Sequence, residues 1–254
     1  MIDLHCHILP GIDDGPKTIE ESLEMAEKAV ADGILRIVCT PHYSLQYPNT
    51  RMFIAPKVQQ LQQELDKRKL PLTLYAGQEV RLTGELMHQI ETDKIQFIDP
   101  KKRYFLLEFP KQEVPFYAVT LIEKVIKKGT IPIIVHPECN LGFIKDPNKL
   151  IPFIELGALT QVTAPSLLGL YGKQIQTTAE KMVDHGLIHM LASDAHRRQE
   201  RDFYLREAYK VIERTKGIAK VQEWKTTAEN VLAGQTIIMP SYRPISHKKF
   251  WLFN

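Results

Sequence analysis

Residues 1–16 read MIDLHCHILPGIDDGP and begin with a short apolar segment that predicts a β-strand. His5 and His7 stand one residue apart at its end. Alternate side chains of an extended strand point to the same face, so both imidazoles can reach one point while Cys6 faces away. A doubly wound sheet that binds a dinucleotide commonly carries a glycine-rich turn at this position. Histidines and aspartates stand there instead, which favours a closed or nearly closed barrel.

Beyond this start, apolar and β-branched runs alternate with segments of helical periodicity. The runs suit strands buried on both faces of a parallel sheet. They cover residues 1–5, 34–42, 72–80, 104–109, 131–137, 157–164 and 187–196. Helices are predicted over residues 17–32, 51–69, 115–128, 147–156, 173–185, 201–215 and 218–233. This order predicts an α/β fold with helical crossovers. Because no linker or break in composition interrupts it, we expect one domain over residues 1–254.

Composition excludes several classes of protein. Hydrophobic residues make up 44% of the 254 residues and charged residues 25%, as in a globular protein with a large core. The net charge of +3 is small and its charges are interspersed, so no nucleic-acid partner is expected. No leader or membrane-length apolar run is present, and the three cysteines form no CxxC pair, which predicts a cytoplasmic protein without membrane insertion. The basic and aromatic residues 247–253 are either a docking tail or a packed C-terminal segment.

The ends of the predicted strands carry the chemistry. Strand ends of an α/β barrel open onto one face, where active sites are built. The side chains at those ends are His5, His7, His42, Glu79, Glu108, His136, Asp194 and His196. Each has a plain structural explanation on its own, such as an ion pair of Glu79 or Glu108 with Arg81, or a helix cap at Asp194. Together they would be costly to bury without cations, so the pattern predicts a site for several metal ions.

The residue types also limit the reaction. Imidazoles and carboxylates without thiolates suit zinc, manganese or iron. His88, His185, His189 and His247 fall away from the strand ends and are interpreted as structural or surface residues. A cysteine-dependent phosphatase needs an arginine six residues after its thiolate, but the residues at that spacing are Ile12, Leu45 and Lys145. A cysteine nucleophile is therefore excluded.

Six short motifs together resemble one family. They are HCH at 5–7, TPH at 40–42, GQE at 77–79, LEF at 107–109, HPE at 136–138 and SDAH at 193–196. In this order, and spanning nearly the whole chain, they resemble the polymerase and histidinol phosphatase (PHP) superfamily. More narrowly, the chain resembles the bacterial manganese-dependent protein-tyrosine phosphatases of capsule and exopolysaccharide operons, the YwqE/CpsB type.

That resemblance implies a distorted seven-stranded β/α barrel, similar to a TIM barrel, that holds three divalent metal ions. Manganese is implied, with iron, zinc and magnesium as alternatives. The first ion would take His5, His7, Glu79 and Asp194; the second, bridged by Glu79, would add Glu108 and His136; the third would take Asp14, His42 and His196. Asp13 lies in the same loop as Asp14 and is the alternative ligand there.

The same resemblance implies a mechanism in which a metal-bridging hydroxide attacks phosphorus. His42, Asp14 or His196 would protonate the leaving phenolate. Relatives can carry an arginine just after the HP motif, where this chain has Glu138 and Cys139. The alternatives are the arginines that follow the seventh strand, Arg197, Arg198 and Arg201, and Arg201 is favoured as the phosphate-binding and catalytic one.

The implied substrate is phosphotyrosine on proteins, in particular on bacterial tyrosine autokinases of exopolysaccharide or capsule synthesis. Histidinol phosphate or another small phosphoester is the alternative on the same site. A nuclease would need a basic channel, and a binding protein with a relic site would have lost ligands. Residues 43–56 form a long loop beside His42 that either admits a protein tail or covers a small molecule.

Overall fold

The computed structural model describes residues 1–197 and 201–246. Its strands form two sheets in which every pairing is parallel. The strands are β1 (Ile2–Cys6), β2 (Arg36–Cys39), β3 (His42–Tyr43), β4 (Thr73–Ala76), β5 (Glu79–Arg81), β6 (Tyr104–Glu108), β7 (Ile131–Val135), β8 (Leu159–Thr163) and β9 (Met190–Ala192). One sheet has the order β1-β2-β4, and the other has the order β3-β5-β6-β7-β8-β9. The fold is therefore α/β with parallel sheets.

Two of the seven predicted strands are each divided in two, which gives nine strands instead of seven within the described ranges. The run at 34–42 is interrupted at Thr40 and Pro41, where proline has no N–H to donate to a ladder. The run at 72–80 is interrupted at Gly77 and Gln78. A Cβ atom at Gly77 would overlap the Val38 side chain, so glycine allows the backbone at residue 77 to approach β2 this closely.

Backbone hydrogen bonds cross the gaps between the two sheets. The Glu79 N–H donates to the Pro41 carbonyl at 3.1 Å, next to the point where the strands divide. At the other side, an isolated parallel bridge joins Cys6 to Ala195, just after β9. The His7 N–H donates to the Ala195 carbonyl at 2.9 Å. The ends of β1 and β9 are thus adjacent.

Helices cover the outside of the sheets. The α-helices within the described ranges are α1 (Ile19–Asp32), α2 (Arg51–Lys67), α3 (Leu86–Glu91), α4 (Ala118–Lys127), α5 (Leu141–Lys145), α6 (Ile151–Leu156), α7 (Ala164–Leu167), α8 (Lys173–Asp184), α9 (Leu205–Lys216) and α10 (Ile218–Leu232). Short 3-10 helices cover Pro137–Cys139 and Pro147–Leu150. Every predicted helix is present, but α9 begins at Leu205 and not at 201, and the segment predicted at 147–156 begins as a 3-10 helix. The short helices α3, α5 and α7 were not predicted, because four to six residues carry no helical period.

Local signals fix the helix that follows the first loop. The Thr18 side chain accepts a hydrogen bond from the Glu21 N–H and caps the start of α1. Gly33 ends the helix with a φ of 89°, a left-handed conformation that glycine adopts without strain. None of the helices among the described residues is both long and apolar enough to span a membrane.

The sheets are buried on both faces. Along β6, Phe105 and Leu107 pack in the larger core beneath the helices, while Tyr104 and Leu106 pack in a second core. The second core also contains Leu4 and residues of α10. Alternate strand residues therefore fill two separate layers, as expected for strands covered on both sides. The rigid strands position the side chains at their carboxyl ends.

Candidate metal centre

The first strand places two imidazoles side by side. His5 and His7 are buried, and their Nε2 atoms lie 3.2 Å apart. His5 Nδ1 lies 2.8 Å from Gln161 Oε1, and His7 Nδ1 lies 2.8 Å from Asp13 Oδ2. Since those oxygens accept the Nδ1 protons, both Nε2 atoms are left as ligand atoms that face one point.

The two loop aspartates have different positions. Asp13 is buried and accepts hydrogen bonds from His7 and from the Gly15 N–H, at 2.8 and 2.9 Å. It therefore orients His7. The Asp14 carboxylate faces the other way, with Oδ1 3.1 Å from His196 Nε2 and 3.3 Å from His42 Nε2. Of these two alternatives, Asp14 is the one whose carboxylate joins the cluster of possible metal ligands.

The Glu79 carboxylate lies at the centre of the cluster. Its Oε1 atom is 2.8 Å from His136 Nε2, and its Oε2 atom is 3.2 Å from His7 Nε2 and 2.8 Å from His42 Nδ1. Oε2 is buried, and no described residue donates a properly directed hydrogen bond to it. A buried carboxylate oxygen surrounded by imidazole nitrogens is the environment that a divalent cation satisfies.

Two ligands stand at strand ends with unusual backbone conformations. His136 has a φ of 35° and Asp194 a φ of 54°, both in the left-handed region that non-glycine residues rarely occupy. The Asp194 N–H donates to the His5 carbonyl at 2.9 Å, which holds this turn beside β1. Asp194 Oδ1 then lies 3.3 Å from His5 Nε2. These conformations turn both side chains into the cluster, and the strain is retained at the candidate site.

Four overlapping groups of side chains could hold metal ions, each with ligand atoms within 4.8 Å of one another. The groups are His7, Asp14, His42 and His196; His5, Glu79 and His136; His5, His7 and Asp194; and His42, Glu79 and Glu108. The structure thus brings together all nine residues that the sequence suggested as metal ligands. Their mixed imidazole and carboxylate donors fit manganese, iron or zinc.

The charges of the cluster also fit a cation site. Burial lowers the pKa of His42, but the Glu79 and Asp14 carboxylates outweigh burial and raise it to about 12. Burial also lowers the pKa of His7, but the Asp13 charge outweighs burial and raises it to about 9. His42, His5 and His136 hold the pKa of the Glu79 carboxyl well below its usual range, although burial acts in the other direction. The carboxylates hold protons on the imidazoles, and a divalent cation would displace those protons.

His196 and Glu108 differ from this pattern. Burial, together with the neighbouring His7, lowers the pKa of His196 to about 4, so its imidazole is neutral and available as a ligand. Burial and the nearby Glu79 charge raise the pKa of the Glu108 carboxyl. Glu108 Oε2 lies 3.9 Å from His42 Nδ1, at the outer side of the cluster. Glu108 therefore joins the cluster from its more exposed edge.

A cavity of about 410 Å³ opens over the cluster. Besides ligand candidates, its walls contain Arg81, Phe109, Lys111, Cys139, Asn140, Tyr171, Ile175 and Arg201. Arg201 Nη2 donates to both Asp194 oxygens, at 3.0 and 2.9 Å, and Arg201 Nη1 lies 3.8 Å from Asp14 Oδ2. The Asp194 and Asp14 charges raise the pKa of this guanidinium against the effect of burial, so it stays charged. An anion in the cavity would meet it.

The other arginines after the seventh predicted strand do not share this position. Arg197 forms ion pairs with Glu21 and Glu24 of α1, at 3.0 and 3.2 Å, and does not line the cavity. Arg198 and the segment 247–253, including His247, lie outside the described residues.

Of the structural alternatives considered for the strand-end acids, the ion pair of Glu108 with Arg81 is present and the others are not. Arg81 pairs with Glu108 Oε1 at 3.4 Å and donates to the Phe109 carbonyl, so it is not the partner of Glu79. Asp194 caps no helix of the described chain. Glu138 is fully buried and accepts a hydrogen bond from the Thr163 N–H at 3.0 Å, so only its neighbour Cys139 reaches the cavity wall.

Sequence reasoning missed Gln161, which orients His5 from β8. The available signal was a lone amide inside the apolar run at 157–164, where a buried polar side chain needs a partner. It also missed Lys111 and Tyr171, which loops bring to the cavity wall. Neither residue lies at a strand end or in a motif.

Known proteins with similar sequences share one family description. The family model of CpsB/CapC, capsular polysaccharide synthesis, matches residues 1–232. The tyrosine-protein phosphatase YwqE of Bacillus subtilis is 38% identical over 254 residues, all of both chains. The putative tyrosine-protein phosphatase CapC of Staphylococcus aureus is 40% identical over 210 residues, 82% of each chain.

Solved structures give the same result. A crystal structure described as YwqE from Bacillus subtilis and CpsB from Streptococcus pneumoniae, unique metal-dependent tyrosine phosphatases, matches with a TM-score of 0.93. It shares 38% identity and covers 97% of this chain and 100% of that chain. A mutant organophosphorus hydrolase from Deinococcus radiodurans matches with a TM-score of 0.54 at 11% identity, a likeness of fold alone.

Proposed function

This chain belongs to the CpsB/CapC family of capsular polysaccharide synthesis, and we propose that it is a metal-dependent protein-tyrosine phosphatase. The observation that carries this function is the cluster of nine histidine, aspartate and glutamate side chains, of which Asp14, His42, Glu108, His136 and Asp194 line the same cavity as Arg201. Relatives that match over their whole length are named tyrosine-protein phosphatases, and the matching crystal structure is described as metal-dependent. The site and the family therefore point to the same activity.

We propose three divalent ions, with manganese as the metal. His5, His7, Glu79 and Asp194 would hold the first, Glu79, Glu108 and His136 the second, and Asp14, His42 and His196 the third. In support, the third set lies within one candidate group, and His5, His7 and Asp194 form another. Glu79 belongs to the remaining two, with His136 in one and Glu108 in the other. Bound divalent cations lower the pKa of water and neutralise phosphoryl oxygens.

The protein's own groups bind the phosphoryl group and manage the proton on the leaving group. Arg201 presents a permanently charged guanidinium to the phosphoryl oxygens. His42 and Asp14 lie 3.3 Å apart at the more exposed side of the cluster, where one of them can protonate the departing phenolate, with His196 next to them. A phenol, with a pKa of about 10, needs less protonation than an alkyl alcohol.

The physiological substrate we propose is a bacterial tyrosine autokinase of capsule or exopolysaccharide synthesis. Support comes from the description of the family and from the names of its members. The three free cysteines suit a reducing compartment, so we place the reaction in the cytoplasm.

We further propose that residues 1–254 form one domain and that its sheets are one distorted seven-stranded barrel. In this interpretation β2 and β3 are one strand, and β4 and β5 are another. The hydrogen bond from Glu79 to Pro41 supports continuity across the division, and the bridge between Cys6 and Ala195 supports closure between β1 and β9.

The decisive experiment is a substrate panel with metals quantified in the same samples. Chelator-stripped protein and protein reloaded with manganese are assayed on a phosphotyrosine peptide, a phosphoserine peptide and histidinol phosphate. We expect the reloaded protein to hydrolyse the phosphotyrosine peptide with the highest kcat/KM and the stripped protein to be inactive. Full activity after stripping would contradict metal dependence, and preferred turnover of histidinol phosphate would identify a small-molecule phosphatase.

A further inference from the structure

Among the described residues, the basic side chains of the cavity wall differ in how far they are already engaged. These side chains are Arg81, Lys111 and Arg201. Arg201 donates to both oxygens of Asp194, and Arg81 donates to the Phe109 carbonyl and pairs with an acidic neighbour. Lys111 is exposed and forms neither an ion pair nor a side-chain hydrogen bond with any residue in the described ranges. Its ammonium is therefore available to a ligand.

The backbone that carries Lys111 is held in place. The residue follows β6, the strand that ends at Glu108, and its carbonyl accepts a hydrogen bond from the Leu141 N–H at 3.0 Å. Asn140 donates to the carbonyls of Pro110 and Glu113, at 2.7 and 3.0 Å. These bonds tie the loop at both sides of Lys111 to the start of α5. The ammonium is thus mobile on a long side chain while its attachment point beside the cavity is fixed.

Another position on the same wall carries no charge. Cys139 lines the cavity, and burial raises the pKa of its thiol, so it remains neutral. Its sulfur lies 3.8 Å from the Ser166 hydroxyl. A phosphate monoester dianion that entered the cavity would therefore find positive charge from Arg201 and Arg81, which Asp194 and Glu108 already neutralise in part, and from Lys111.

We propose that Lys111 is a substrate-binding residue, whose ammonium contacts the phosphoryl oxygens of a phosphate monoester in this cavity. This role rests on the proposed phosphatase function and deepens it. A charge-assisted hydrogen bond to an anion is worth more than a neutral one, and an unengaged ammonium loses no existing partner when it forms. Lys111 thereby supplies charge that the engaged guanidiniums do not.

The test measures binding and turnover in three variants of the manganese-loaded protein. Lys111→Gln removes the charge, Lys111→Arg keeps it, and Lys124→Gln removes an exposed charge from α4, which does not line the cavity. Calorimetry with inorganic phosphate, with manganese content measured in each sample, should show about tenfold weaker binding for Lys111→Gln. Lys111→Arg and Lys124→Gln should bind phosphate within about twofold of the unaltered protein.

Turnover separates this role from a structural one. With p-nitrophenyl phosphate, which has no flanking residues, Lys111→Gln should raise KM about tenfold, and added salt should weaken phosphate binding less than in the unaltered protein. A fourth variant, Lys111→Gln with Cys139→Arg, restores a cation to the same wall and should recover part of the affinity. Failure of that double variant to fold would leave the two single Lys111 variants as the test.

Two results would overturn the inference. Unchanged phosphate affinity in Lys111→Gln would show that the ammonium does not contact the phosphoryl group. An effect seen only with peptides that carry acidic residues beside the phosphotyrosine would show that Lys111 binds a flanking side chain instead. If the unaltered protein hydrolysed no phosphotyrosine substrate, the proposed function would fail, and the phosphate calorimetry would still decide the role of Lys111.

Discussion

The Nε2 atoms of His5 and His7 lie 3.2 Å apart, although both histidines are buried. Two imidazole nitrogens at this distance must share a proton or a cation, because two lone pairs repel each other. Glu79 and Asp194 carboxylates approach the same two atoms. A shared ion is therefore the simplest account of the pair.

Replacement of His5 by glutamine should remove metal and activity together. The variant loses a ligand at the point where two of the candidate groups overlap. We expect manganese content to fall, and kcat/KM on a phosphotyrosine peptide to fall by at least about a hundredfold, which is the upper range for altering only a group that orients a ligand. His88→Gln, outside the cluster, is the control. Full metal content in His5→Gln would refute the assignment.

Gln161 should matter through the orientation of His5. Its Oε1 atom lies 2.8 Å from His5 Nδ1, so Gln161→Leu removes the acceptor that fixes the imidazole. We expect manganese affinity, measured by competition with a chelator, to weaken about 10-fold to 100-fold. Gln161→Glu keeps an acceptor and should bind manganese more tightly than Gln161→Leu. Equal affinities for both variants would mean that the contact does not orient the ligand.

Arg201 should act on the reaction and not on metal content alone. Arg201→Ala removes the guanidinium that contacts Asp194 and faces the cavity, and we expect kcat/KM to fall about 100-fold to 1,000-fold. Arg201→Lys keeps the charge without the planar fork, and its kcat/KM should lie between those of Arg201→Ala and the unaltered protein. Phosphatase assays with metal analysis of each sample check this. Loss of manganese in proportion to activity would instead assign Arg201 to metal retention.

Thiol modification should leave the activity intact. Cys6 and Cys39 are fully buried, and burial raises the pKa of each thiol, as it does for Cys139. Protonated thiols react slowly with alkylating reagents, and burial also shields Cys6 and Cys39 from them. We expect iodoacetamide to preserve turnover of a phosphotyrosine peptide while a chelator abolishes it. If the Cys139→Ser variant had no phosphatase activity, the Cys139 thiol would have a role in the reaction.

His189 should make the fold less stable in acid. Burial, together with the nearby Lys220, lowers the pKa of His189 to about 4, and its Nδ1 atom accepts the Thr160 N–H at 3.0 Å. An unfolded histidine has a pKa of about 6.5, so between these values the unfolded chain binds more protons. The free energy of unfolding therefore decreases as the pH is lowered from about 6.5 to about 4, by about 3 kcal/mol over the whole range.

A His189→Gln variant keeps an acceptor for Thr160 and loses the titration. We expect its free energy of unfolding to fall less than that of the unaltered protein between pH 7 and pH 4. Urea denaturation of both proteins in the same chelating buffer measures this difference. Parallel pH curves would mean that His189 is protonated in the folded state as readily as in the unfolded one.

The sequence was sufficient to predict the alternation of strands and helices and the convergence of strand-end side chains. It did not predict the divisions at Pro41 and Gly77, because each division spans only two residues and the strand residues on its two sides form one continuous run in the sequence. Asp13 and Asp14 were indistinguishable, since neighbouring loop residues can face opposite directions. Only the folded loop determines that Asp14 meets the His42 imidazole while Asp13 accepts the His42 N–H. Lys111 reaches the cavity through a loop whose path depends on Asn140, a contact between distant residues that no local pattern records.

His5 and Asp194 lie near opposite ends of the sequence, although His5 Nε2 is 3.3 Å from Asp194 Oδ1. While the protein is still being translated, no nascent chain that ends before residue 196 can offer the full set of ligands. A metal ion captured earlier would be held by an incomplete set and would exchange readily. Assembly of the complete ligand set therefore comes late in synthesis, after residue 196 has been added.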